Sequence, residues 1–224
     1  MTDGITRQNL HERTQDYLRR GKPWQPDVLL VRGDTGLRVV KDYRPRPRSY
    51  RFFVGLFSVW QEARMYRRLA GIEGLPAFFG TLDRHALVIE YIDGRTAASF
   101  RPGQVPHRFF AELEAVVERV HARGVVLSDM RNKKNVLITA DFRPVLIDLC
   151  TAFERGYWWN LPRNFVFRTF YQDDLLGVAK LKRHLAPELL SAEAAERLER
   201  GLPLQRPAMV LRDFCVRWLK RWVA

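Results

Sequence analysis

The period of the apolar positions changes along the chain. Two β-type runs, Val28-Leu29-Leu30-Val31 and Leu37-Arg38-Val39-Val40-Lys41, flank Gly33-Asp34-Thr35-Gly36, a Gly/Asp cluster that predicts a hairpin turn. From Phe57 to Ala70, Val59, Glu62, Tyr66 and Leu69 recur at helical spacing, and Gly71 with Gly74-Leu75-Pro76 ends that helix. Ala86 to Ile92 is a further apolar run, closed by Asp93-Gly94. Beyond it the pattern turns helical. Phe109, Leu113, Val116, Val117 and Val120 share one helix face, and the helix stops near His121-Ala122-Arg123-Gly124. Short strands around Val136-Leu137-Ile138 and Val145-Leu146-Ile147 follow, joined by a turn at Ala140-Asp141. Helices are then expected over Asp174–His184, Ala192–Arg200 and Met209–Val223. Strands lead the first part and helices the second, an α+β pattern with a β-rich lobe over 1–92 and a mainly helical lobe over 93–224.

Composition narrows the class. The 224 residues are 46% hydrophobic and 12% aromatic, which excludes a disordered basic tail. Two cysteines, Cys150 and Cys215, are too few for a disulfide framework and fit a reducing compartment. The first ten residues lack the apolar core of a signal peptide, and no stretch reaches the roughly 18 apolar residues of a spanning helix. A cytoplasmic protein is expected, with peripheral contact at the inner face of the membrane as an option. Lys plus Arg outnumber Asp plus Glu by 38 to 25, a net charge of +13, which calls for an anionic partner without choosing one.

The segment from His121 to Ile138 carries Asp129 and Asn135 in one polar loop, and Asp148 ends the following strand pair. A carboxylate can receive or orient an acceptor hydroxyl, while an amide and a second carboxylate offer hard oxygens to magnesium on nucleotide phosphates. A polar loop followed by an ordinary strand-end Asp is the plain alternative. Upstream, Lys41 closes a β-branched strand, where a buried ammonium needs an anion, and Glu62 sits inside an apolar helical stripe. Singly, each reads as a surface charge. Jointly with the downstream loop residues, their order shifts the balance away from that plain reading.

These residues resemble the protein-kinase-like superfamily, in particular small bacterial members such as the lipopolysaccharide core sugar kinases, and the Rio kinases. The resemblance runs from about Val28 to Asp148 and implies a two-lobed fold with a shortened helical C-lobe. By it, Lys41 would hold the phosphates of ATP, Glu62 would orient Lys41, and the backbone of Glu90-Tyr91-Ile92 would meet adenine. Asp129 would be the catalytic Asp, with Asn135 and Asp148 as Mg ligands. The implied reaction is transfer of the γ-phosphate to a hydroxyl. A core sugar of an acidic glycolipid is the preferred acceptor, a protein serine or threonine the alternative, and a nucleotide-binding pseudokinase or scaffold a further one.

The departures are specific. Asn135 stands six residues after Asp129, where kinases have five, so either the loop bulges or Asn132 or a lysine shares the role. Leu127 occupies the place of the His in His-Arg-Asp, and Asp148-Leu149-Cys150 lacks Phe-Gly. No G-x-G-x-x-G loop exists, and a glycine-poor phosphate cover near Gly21-Lys22 is a weak substitute. Ala186-Pro187-Glu188 is discounted as the end of an activation segment. Asp173 or Asp174 is expected to N-cap the helix that supports the catalytic loop.

The Arg44–Arg51 run, with Arg163, Arg168, Lys180, Lys182 and Arg183, suits an acidic acceptor, an anionic membrane or simply a solvated surface. Tyr157-Trp158-Trp159, Phe165, Phe167 and Phe170 read as an aromatic loop packed on the helical lobe, with membrane contact as the alternative. Phe214, Trp218 and Trp222 recur at four-residue spacing in the last expected helix, with Arg212, Arg217, Lys220 and Arg221 interleaved; core packing with snorkelling cations is expected, and a helix lying on a membrane surface is the alternative. Cys150 is expected to be a buried small residue and His121 a structural helix-end residue. His85, His107 and His184 lack metal-ligand spacing, and no nucleic-acid recognition motif is present, so no nucleic acid is expected as partner.

Overall fold

The computed structural model describes residues 2–157 and 159–200. The helix expected over Met209–Val223, with Phe214, Trp218, Trp222 and Cys215, lies outside the described residues. The described chain divides into two compact units, one of residues 2–70 and 76–91 and the other of 71–75 and 92–200.

The first unit is a five-stranded antiparallel sheet in the order β1-β2-β3-β5-β4, from Thr14–Arg19 (β1), Asp27–Arg32 (β2), Leu37–Asp42 (β3), Phe78–Asp83 (β4) and Ala86–Glu90 (β5). The Gly33–Gly36 cluster closes the β2–β3 hairpin as expected, Gly33 donating its N–H to the Gly36 carbonyl at 2.8 Å. Register alternation gives the sheet two faces. Leu29, Val40 and Val88 stand opposite one another on one face, where the N-terminal residues Ile5 and Leu10, the latter opening the short helix Leu10–Arg13 (α1), seal them. Burying each of those two side chains contributes about 2 kcal/mol. Lys41, beside Val28 and Leu87, belongs to the opposite face.

A helical stretch opens at Arg48–Tyr50 (α2), passes through π-helical turns at Arg51–Gly55 and continues as Leu56–Arg68 (α3). Helix therefore begins inside the arginine-rich run, nine residues before the expected Phe57. Gly55 permits this, since a Cβ there would lie 3.1 Å from Tyr43 Cβ. α3 buries Val59, Glu62, Ala63, Met65 and Tyr66, and the chain leaves it through Gly71 at φ +80°.

The second unit is helical around small sheets. His107–Ala122 (α4) buries Phe109, Phe110, Leu113, Val116, Val117 and Val120 and ends where Gly124, at φ +70°, returns its N–H to His121 O at 2.9 Å. Gly94–Thr96 (β6), Val136–Thr139 (β8) and Pro144–Leu146 (β9) form a three-stranded sheet, and Val125–Val126 (β7) pairs with Phe153–Glu154 (β10). Leu161–Leu185 (α5) follows, then Ala192–Arg200 (α6).

α5 corrects two expectations. The stretch after Asn160 is helix and not an aromatic loop: Asn160 caps it by accepting the Arg163 N–H at 3.2 Å, and a proline stands in its first turn. Phe167 is buried there, whereas Tyr157, Trp159 and Phe165 are exposed and do not pack on the helical core. Asp174 lies mid-helix and caps nothing. Cys150 is half-buried rather than buried.

Candidate functional site

In the first unit, β3 and α3 bring Lys41 and Glu62 together. Lys41 Nζ donates to Glu62 Oε1 at 2.5 Å, with the glutamate side chain fully enclosed. An isolated ammonium or carboxylate at this depth would cost several kcal/mol, so each charge supports the other's burial. Glu90 ends β5, and its Oε2 accepts the Ala77 N–H at 3.0 Å while its own N–H donates to Ala77 O at 2.8 Å. Tyr91 and Ile92 follow it, one on each side of the division between the units.

The loop between β1 and β2 contains Gly21-Lys22. β1 itself was not foreseen. Its residues are largely exposed and lack alternation. Arg46, from the basic run, is spent on that loop: Nη2 lies 2.6 Å from Asp27 Oδ1, and Nη1 donates to Gly21 O at 2.5 Å and Lys22 O at 3.0 Å. Gly21 N–H donates to the same Asp27 oxygen at 2.7 Å, and Tyr50 Oη donates to Trp24 O at 2.5 Å. Only glycine fits at position 21, where a Cβ would fall 2.2 Å from Gln25 O.

In the second unit, Asn135 Nδ2 donates to Asp129 Oδ2 at 2.8 Å. The extra residue of this loop is absorbed by a 3-10 turn at Lys133–Asn135, in which Asn132 Oδ1 accepts the Lys134 N–H at 3.2 Å and Asn132 O accepts the Asn135 N–H at 2.8 Å. The loop thus carries its extra residue as a bulge, with Asn132 capping the turn. Ile147 N–H donates to Asn135 O at 2.9 Å, extending the β8–β9 ladder and setting Asp148 one residue beyond that pair. Asp148 takes φ +72° and Ser128, just before Asp129, φ +60°. Non-glycine residues pay for left-handed backbone, which surrounding structure must enforce.

What enforces it at Ser128 is Asp174. This carboxylate, wholly buried on α5, accepts the N–H of Leu127 at 2.7 Å and of Ser128 at 2.9 Å, and lies 2.9 Å from His121 Nε2. Burial pushes its pKa up, with His121 and the two backbone donors working against that rise. One turn on, Gly177 lets α5 touch the loop: a Cβ there would meet Met130 Cβ at 2.5 Å. Arg131 joins Asp173 at 2.8 Å, and Ser128 Oγ donates to Thr151 O at 2.7 Å. Sequence reasoning missed these supports. The one available signal was the three-residue spacing of Asp174 and Gly177, which puts a carboxylate and a glycine on the same side of the helix as buried Leu181.

Metal fit can be judged from the donors. Asn135 donates Nδ2 to Asp129, and its hard carbonyl oxygen Oδ1, which accepts Asn132 Nδ2 at 3.3 Å, has a second lone pair suited to a cation, with the Asp148 carboxylate as the second candidate ligand. Magnesium with nucleotide phosphates asks for one or two carboxylates from the protein, so this set suits it. Among the described residues no group of three His, Cys, Asp or Glu side chains is placed to hold a metal.

No protein-family model matches the chain, and no curated protein matches it in sequence. Among solved structures it is similar to the Rio2 kinase from Chaetomium thermophilum, at 17% identity over 80% of this chain and 60% of that one, with a TM-score of 0.57. It is likewise similar to the ADP/Mg2+-phosphoaspartate complex of that kinase, at 17% identity, 80% and 58% coverage and a TM-score of 0.58. The chain thus spans about three fifths of the length of the structures it matches. The fold is a two-lobed, α+β, protein-kinase-like one.

Proposed function

We propose that this chain is an ATP- and magnesium-dependent phosphotransferase acting on a hydroxyl acceptor. The observation that carries the reading is the Asn135–Asp129 hydrogen bond at 2.8 Å in a loop whose neighbouring strand delivers Asp148. In this reading Asp129 accepts or orients the acceptor hydroxyl's proton, its carboxylate aimed by Asn135. Lys41, held by Glu62, neutralises charge on the nucleotide phosphates, and the backbone of Glu90-Tyr91-Ile92 takes the adenine edge. Asn135 Oδ1 and Asp148 hold magnesium, which supplies charge neutralisation between the phosphates when bound. The complex of Rio2 kinase with ADP, Mg2+ and phosphoaspartate supports nucleotide and magnesium use by a fold of this kind.

For the acceptor, the likeness to Rio2 kinase favours a protein serine or threonine hydroxyl over the core sugar of a lipopolysaccharide-type glycolipid. The glycolipid reading rests on the small size, the net charge of +13 and the resemblance to the lipopolysaccharide core sugar kinases. The experiment is phosphate transfer from labelled ATP to protein and glycolipid panels, run with Asp129→Ala and Asp148→Ala. Transfer is expected to fall at least about 100-fold in Asp129→Ala, and magnesium-dependent nucleotide binding to vanish in Asp148→Ala. Unchanged turnover in the first variant removes Asp129 from catalysis. Tight nucleotide binding with transfer to no acceptor favours the pseudokinase instead.

A further inference from the structure

The helical stretch that carries Glu62 on its inner side presents a different chemistry outward. Phe52, Phe53, Phe57 and Trp60 are all exposed, Phe53 by 70% and Trp60 by 54%. Their spacing places Phe53, Phe57, Trp60 and Arg64 along one helical face, while Val59, Ala63, Met65 and Tyr66 face the core. The rings meet in two pairs: Phe52 meets Phe53 edge-on at 5.2 Å, Phe57 stands 6.0 Å from Trp60, and the Arg64 guanidinium lies 5.5 Å over the Trp60 ring. Within the stretch itself the charge is nearly all of one sign. Residues 44–70 contain seven arginines and a single acid, Glu62, which is buried. Arg44 and Arg48 are exposed at one end of the aromatics, and Arg64, Arg67 and Arg68 at the other.

We propose that this face is a docking surface for an anionic lipid bilayer, with the aromatic rings at interfacial depth and Arg44 and Arg48 on lipid phosphates. Arginine binds phosphate through a planar fork, and tryptophan and phenylalanine partition into the headgroup boundary. From Phe52 to Trp60 the patch runs about 12 Å, a helix lying on a surface rather than crossing it. No described helix is long and apolar enough to cross a membrane. An acidic protein would satisfy the arginines, but its surface would have to offer a rigid pocket to each projecting ring, whereas a bilayer needs none. The proposal is independent of the phosphotransferase reading, because vesicle binding is measured without nucleotide.

The test is co-sedimentation of the full chain with vesicles of phosphatidylglycerol and phosphatidylethanolamine, against vesicles of phosphatidylcholine alone. Binding to the anionic vesicles only is expected. Combined Phe53→Ser, Phe57→Ser and Trp60→Ser should weaken it about ten-fold or more, with the thermal midpoint kept because all three side chains are already exposed. Combined Arg44→Gln and Arg48→Gln should also weaken it and flatten its salt dependence. Equal partitioning of the aromatic variant and the parent overturns the proposal, as does binding that follows charge alone. A parent chain that ignores vesicles yet binds a poly-glutamate peptide makes the face a protein-docking surface and likewise overturns it.

Discussion

The Asp174 carboxylate on α5 accepts the backbone N–H of Leu127 at 2.7 Å across 47 positions of sequence. That single contact ties the loop bearing Asp129 to the longest helix among the described residues. It also makes the loop's geometry depend on a residue outside it.

Asp174→Ala removes the acceptor for two backbone donors and the partner of His121, all in a buried setting. The expected loss is about 3–5 kcal/mol, because the donors stay buried without partners. Urea unfolding measures it. A loss below about 1 kcal/mol would mean that water replaces the carboxylate and that the loop is not held from α5.

Gly177→Ala sets two effects against each other. Alanine gains up to about 1 kcal/mol of helix propensity over glycine. The new Cβ, however, would meet Met130 Cβ at 2.5 Å and Met130 C at 2.8 Å, so α5 and the loop must separate. Overpacking costs about 1–3 kcal/mol, so net destabilisation is expected in thermal melts. A stabilised variant would show that the loop yields freely.

Lys41 and Glu62 should be strongly non-additive. Lys41→Met strips an enclosed carboxylate of its paired cation and should cost about 3–5 kcal/mol. Adding Glu62→Leu should recover much of that loss in stability while leaving nucleotide binding abolished. Additive losses in the double-mutant cycle would show that the pair is not coupled.

Arg46→Met should release the β1–β2 loop without unfolding the sheet, since Arg46 holds Gly21 O, Lys22 O and Asp27 together. Trypsin is the measurement: cleavage after Arg20 should speed up several-fold. Cleavage at the parent rate would leave Tyr50 and Gly21 as sufficient anchors.

Arg7 gives the first unit an acid-sensitive clamp. Burial works against the Asp83 carboxylate, but Arg7, at 3.0 Å, and the His85 N–H outweigh it and hold the pKa below the ordinary 3.8. A depressed folded pKa means that Asp83's stabilisation is complete above about pH 4 and is lost as pH falls through the lower folded value. Arg7→Met should flatten that acid limb in pH-dependent urea unfolding; an identical limb would place the acid sensitivity elsewhere.

Local pattern by itself determined the β2–β3 hairpin, α4, and the β8–β9 pair. In each, the apolar period and a turn residue lie within one short window, and burial follows that period directly. It also singled out Lys41 and Glu62, because charges inside apolar stripes are conspicuous without any partner being known. The tertiary structure decided the rest. β1 is an exposed edge strand held by ladder hydrogen bonds, which leave no alternation to read. The first turns of α5 are aromatic on both faces, so they show no helical stripe. Arg46 looked like one more surface arginine until Asp27 and the Gly21 carbonyl met it. Asp174 looked like a cap because an Asp near an apolar helical run usually is one. Its real partners, Leu127, Ser128 and His121, come from distant sequence, and a hydrogen bond between remote segments leaves no trace in the period of either.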